Sequence, residues 1–267
     1  MRRFRRLPAL ALILLTTTAA RPRDQLSRAR RLYNDGQYDA AIDIASSVAK
    51  TPDLCDAAEL VLARASLERF RTTGDAGDRQ AAGQALKQVR AAALSDDDRV
   101  ELLIAMGEWL YFDGQPGAAA EQFELALARG DRKQPARHER LLDWWATALD
   151  RQSQTAAEPV ARMLQARIVR RMEEELHDDS GAMVASYWLA AAARGSGDIE
   201  RAWDAAIAGW VRLSALGPKA AMARADLDAL VTKAIIPDRA RIVSPSSPDA
   251  AAAAMRMQWN ALKRAWS

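Results

Sequence analysis

His138 and His177 are the only histidines in the chain, and both stand beside acids. His177 precedes Asp178 and Asp179, a grouping whose imidazole and carboxylates would suit zinc or another divalent ion. The same order of residues also describes a helix end followed by the cap of the next helix, and no metal site is expected there. His138 lies among Arg137, Glu139 and Arg140, a mixed-charge run that places it on an exposed helix face. No HExxH pair, phosphate-cradling glycine loop, nucleophile elbow or paired-cysteine pattern occurs. No catalytic residues, metal or cofactor are implied, and the chain is not expected to be an enzyme.

The single cysteine, Cys55, excludes an intramolecular disulfide. It heads the helical run CDAAELVLARASL and reads as a small, partly buried residue; an intermolecular disulfide or a reactive thiol is the alternative. Eight tryptophans are more than a chain this size needs. Trp203, Ile207 and Trp210 follow one another at spacings of four and three, which favours a core face over a ligand platform. Trp144 and Trp145 are adjacent and point about 100° apart on a helix, so one of them must be partly exposed or covered by another element. Trp188 stands beside Tyr187 with the same consequence.

These residues ride on helices almost throughout, because apolar positions recur at helical spacing and strand-like alternation is scarce. The pattern predicts paired helices at about 24–35 and 38–50, 53–72 and 79–93, 96–112 and 117–129, 136–151 and 157–176, and 181–195 and 199–215. Single helices follow near 219–234 and 248–265. Ser95 before Asp96, Asp97 and Asp98 signals a capped start with negative charge at the positive helix end. Ser247-Pro248-Asp249 signals another, with Pro at the first helical position. The alanine abundance suits both helix propensity and close contact between helices.

One stretch carries a finer code. In GEWLYFDGQPGAAAEQFELAL, from Gly107 to Leu127, the small residues Gly107, Ala119 and Ala126 flank a turn at Asp113-Gly114-Gln115-Pro116. Leu103, Leu110 and Phe123 supply bulk between and beside them. This pattern resembles the tetratricopeptide repeat (TPR), a helix–turn–helix unit that stacks into solenoids. The resemblance recurs around Gly36, with Ala29, Leu32, Tyr38, Ala41 and Ile42 in place and Val48 where a small residue is usual. It recurs again around Gly197, with Ala190, Ala202 and Gly209 small and Ile199 and Trp203 bulky. The turn glycines Gly36, Gly74, Gly114 and Gly197 are separated by 38, 40 and 83 residues, the last being two units. The fold class expected is all-α: a right-handed α-solenoid of about five TPR-like hairpins plus a C-terminal capping helix.

In such solenoids the first helix of each unit lines the groove. By that resemblance Arg30, Tyr33, Glu108, Tyr111, Tyr187 and Arg194 form a candidate peptide-binding groove, with Tyr as rigid amphipathic contacts and Arg as forks for carboxylates. Packing and solvation are the alternative roles for each. The lysine that some family members place centrally to clamp a chain terminus is replaced by Leu26, Ile104 and Tyr187, so recognition of chaperone tails is not implied.

The first twenty residues read as a Sec-type signal peptide: Arg2, Arg3, Arg5 and Arg6, an apolar run from Leu7 to Leu15, and small residues at Thr18-Ala19-Ala20. An uncleaved anchor is the alternative, although the run is shorter than the ~20 residues that span a bilayer. No cysteine follows the run, so a lipoprotein is not expected, and the chain is expected to be periplasmic or secreted. The whole chain is +3, but removal of the signal leaves 34 basic against 35 acidic residues, a net of −1. The basic pI therefore belongs to the leader and gives no case for nucleic acid binding.

The expected organisation is a signal peptide over 1–20, a TPR-like domain over 21–236, a linker over 237–247 and an amphipathic capping helix over 248–267. Met255, Trp259, Leu262 and Trp266 stripe that helix. Covering the last repeat is its leading role, with docking to a partner or a membrane surface as alternatives. Membrane contact is expected through the N-terminal segment or this helix alone. The function expected is a non-catalytic scaffold for a protein or peptide partner in the cell envelope. An accessory of cell-wall metabolism or a structural subunit of an envelope secretion or transport machine is the alternative.

Overall fold

The computed structural model describes residues 21–130 and 134–266. The expected signal peptide and residues 131–133 of the loop after the third helix pair lie outside the described residues. Among these the protein is all-helical, with no strand. The helices are α1 (Pro22–Asn34), α2 (Tyr38–Val48), α3 (Cys55–Thr73), α4 (Ala76–Gln88), α5 (Asp96–Phe112), α6 (Pro116–Arg129) and α7 (Pro135–Ser153). They continue with α8 (Glu158–Asp178), α9 (Met183–Gly195), α10 (Ile199–Ala215), α11 (Ala221–Leu230), α12 (Ile236–Val243) and α13 (Pro248–Ala265). Each helix from α1 to α10 packs on the next. The odd-numbered helices also touch in series, α1 on α3, α3 on α5, α5 on α7, α7 on α9 and α9 on α11.

Local chemistry sets these boundaries. Ser95 caps α5 by accepting the Asp98 N–H at 3.2 Å, and three aspartates fill its first turn, where the helix dipole favours negative charge. The chain reverses at Gly114, whose φ of +79° is a left-handed conformation open to glycine at little cost. The turn between α7 and α8 has no glycine and runs through Gln154 to Ala157, which is why it lacked a clear signature.

Within the α5–α6 pair the packing depends on absent side chains. A Cβ placed on Gly107 would lie 2.5 Å from the ring of Phe123, which is fully buried. Ala119 and Ala126 are also fully buried, so the two backbones approach over small residues while Phe123 fills the gap. Trp145 is buried, and Trp144 is half-buried against Phe123 of the preceding pair, its ring stacked 5.7 Å away. The adjacent tryptophans thus face two different elements, as their spacing requires. One core runs from Val100 to Trp259, and two smaller ones lie under α1–α3 and between α3, α4 and α5.

The segment expected to be a linker, 237–247, is helical through Val243, and only 244–247 forms a turn. α11 passes through a π-helical turn, Val231–Ile235, into α12. Pro237 lacks the N–H that would reach back to residue 233, and the widened turn lies where that bond is missing. A proline read as a helix stop is therefore a distortion within a continuing helix.

α13 lays Met255 and Trp259 into the protein, whereas Trp266 is 47% exposed. The Trp259 ring meets those of Trp210 at 5.4 Å and Trp203 at 6.1 Å, and its Nε1 donates to Asp228 Oδ1 at 2.6 Å. Lys263 Nζ reaches the same oxygen at 2.7 Å. Trp259→Ala is expected to cost about 3–5 kcal/mol, as deletion of a large buried ring does, and Trp266→Ala under about 1 kcal/mol. Gly107→Ala is expected to cost about 1–3 kcal/mol through overpacking against Phe123. Urea denaturation of the three variants checks all of these values.

Candidate functional site

The first helices of four successive pairs meet around a basin of about 340 Å³. Arg30, Tyr33 and Asn34 of α1 form one wall and Leu60, Val61 and Arg64 of α3 the floor beside it. Asp98 and Glu101 of α5 and Arg137 and Arg140 of α7 close the other side. Consecutive turns of each first helix project to this face, and stacking brings residues from distant parts of the sequence together.

Ion pairs cross from helix to helix. Arg30 donates to both oxygens of Asp98, at 3.0 and 2.9 Å. Glu101 lies between two guanidiniums, 2.7 Å from Arg64 and 3.0 Å from Arg137. These three side chains are mostly shielded from solvent, so the attractions are screened less than on an open surface. The Arg64 guanidinium also covers the Tyr33 ring at 4.3 Å from its centroid, a cation–π contact. Burial pushes the Tyr33 phenol up to about 12.

Glu108 sits on α5 about two turns beyond Glu101, buried and outside the basin's lining. Burial, with the charge of Glu68 adding to it, pushes its carboxyl up to about 7, while Arg64 and Arg140 pull the other way. Near neutral pH this side chain is therefore only partly ionised.

The six sequence-predicted groove residues do not gather into one site. Arg30 and Tyr33 line the basin, and Glu108 does not. Tyr111 is half-buried, edge-on to Trp144 at 5.3 Å, with the Arg151 guanidinium 4.8 Å from its ring centroid. Tyr187 is half-buried against Trp188, with ring centroids 5.5 Å apart. Burial, then the charges of Asp226, Asp150 and Asp143, raise its phenol above the ordinary range. Arg194 is engaged by Asp238 of α12 at 2.6 Å.

Sequence reasoning missed Arg64, Glu101, Arg137 and Arg140. A signal was present: positions 30, 64, 101 and 137 recur at intervals of 34, 37 and 36. They occupy one register of successive first helices and carry Arg, Arg, Glu and Arg.

His138 is not on an exposed face. Its Nε2 lies 2.8 Å from Glu175 Oε2, because the start of α7 packs beside the end of α8. Arg171 donates to the other oxygen at 2.8 Å. Burial opposes ionisation of Glu175, but the hydrogen bonds and charges of His138 and Arg171 outweigh it and hold the carboxyl down at about 2. Its neighbour Glu139 accepts the N–H groups of Met183 and Val184 at the head of α9, at 3.1 and 2.8 Å. This corner joins three helices and reads as structural. Among the described residues no group of His, Cys, Asp and Glu is arranged to hold a metal ion, and no helix is long and apolar enough to cross a membrane.

No protein-family model matches the chain, and comparison with curated proteins and with solved structures likewise gave no match.

Glu108 makes stability depend on pH. The folded chain holds its proton up to about 7, whereas the unfolded chain releases it near 4.5. Its contribution is therefore complete below 4.5 and is lost as pH rises through about 7. The loss is at most about 3 kcal/mol. Glu108→Gln is expected to flatten the fall in stability between these limits, and urea midpoints measured from acid to mildly alkaline pH check it.

Proposed function

We propose that this chain is an exported, non-catalytic scaffold of the cell envelope that binds a protein or an extended peptide. In this reading it is a right-handed solenoid of about five TPR-like hairpins, with α13 covering the last. The basin is the observation that carries it. Side chains from four first helices, spread over more than one hundred residues of sequence, share one concave surface. Such a surface is preformed by the stack, so little ordering is required of it on binding.

Three further features support the reading. The helices pack in sequential pairs with their first members in series. The small positions of the resemblance, Gly107, Ala119 and Ala126, lie where α5 and α6 approach. The basic and apolar pattern of residues 1–20 supports export to the periplasm or beyond.

The test is a cross-linked pull-down from envelope extract with the C-terminally tagged chain. Its control carries Arg30→Glu and Arg140→Glu. Both residues are exposed, and the Arg30–Asp98 pair is of the surface kind that contributes at most about 1 kcal/mol. Partners captured by the parent and lost from the control, at an unchanged melting temperature, are the expected result. Partners retained by the control would move binding off this face. Retention on peptidoglycan with no protein captured would overturn the scaffold reading.

A further inference from the structure

The basin carries more positive than negative charge on its walls. Among the described residues four guanidiniums line it, against the carboxylates of Asp98 and Glu101. Arg30 and Arg64 are each paired with one of these acids. Arg137 shares Glu101 with Arg64, and its Nε is buried without an acceptor among the described residues. Arg140, exposed at the rim, forms no hydrogen bond or ion pair with any of them. Glu108, whose carboxyl feels the charge of Arg140, is buried and only partly ionised near neutral pH.

A buried donor without an acceptor costs about 1–3 kcal/mol. An acceptor that enters the basin relieves that cost at Arg137 and meets an uncommitted fork at Arg140. Planar, bidentate recognition of a carboxylate is what a guanidinium does best. A doubly charged phosphate fits less well, because its second charge would be set against Asp98 and Glu101.

We propose that the basin binds a peptide carboxylate, held between Arg140 and Arg137. The proposal rests on the peptide-binding reading above and specifies its ligand chemistry. The carboxylate has two sources, an internal Asp or Glu side chain or a free chain terminus.

Three short peptides separate them. The first has the sequence Gly-Leu-Glu-Leu-Gly with both ends blocked. The second is Gly-Leu-Gln-Leu-Gly with a blocked amino end and a free carboxyl end, and the third is the same Gln peptide with both ends blocked. Each is titrated into the full chain through the millimolar range and followed by amide chemical shifts. The expected result is saturable shifts at basin residues with the first peptide, the second, or both, and none with the third. The responding peptide identifies the source. Arg140→Met is expected to weaken that binding about tenfold, the loss of one charge-assisted hydrogen bond, with the melting temperature unchanged. Arg140→Lys should recover part of it.

Equal binding of the fully blocked Gln peptide, unaltered affinity of Arg140→Met, or no saturable shift with either carboxylate would overturn the proposal. If the pull-down partners still depend on the basin face in that case, the carboxylate assignment alone falls. If they do not, the peptide-binding reading falls with it.

Discussion

The close approach of paired helices over small residues is the constraint on which the rest of this structure depends. Gly107 leaves room for the Phe123 ring, and Ala119 and Ala126 are sealed in the same interface. Larger residues there would push α6 away from α5. The displacement would pass to Trp144, which stacks on Phe123, and through α7 to the pairs beyond. In a stack each pair rests on its neighbours, so one interface fixes the register of the next. The basin follows from that register, because its walls belong to four pairs.

Electrostatics fixes the basin in a second way. Glu101 ties α3 to α7 through Arg64 and Arg137, and Arg30 ties α1 to α5 through Asp98. The Glu101 pairs are shielded from solvent, and ion pairs of that kind specify a geometry more surely than they stabilise a fold. The surplus of guanidiniums over carboxylates distinguishes this face from the corner at His138. There Glu175 lies between His138 and Arg171, and Glu139 is satisfied by backbone N–H groups.

Much of the helical order was legible in the sequence, because turns at Gly36, Gly74, Gly114 and Gly197 and the capping signal at Ser95 act locally. The helix at 236–243 was not, because a proline rule derived from isolated helices ignores the π-helical turn that accommodates Pro237. Trp266 looked like a member of the α13 stripe but follows the last residue of that helix, Ala265, and remains exposed. The candidate site was legible in part: Arg30 and Tyr33 stand on the basin wall. Arg137 and Arg140 were hidden because their importance arises from the lateral register of α7 against α3 and α5. Nothing local to the run Arg137-His138-Glu139-Arg140 separates a basin wall from a solvated helix face.

The central claim is that the face built from the first helices is the one that meets a partner. Site-specific photo-cross-linking in intact cells tests it most directly, with a benzophenone side chain placed at Asn34 on the basin rim or at Gln84 on the exposed side of α4. The account requires protein adducts from position 34 and none from position 84. Adducts from position 84 alone would contradict it and place the partner on the second helices.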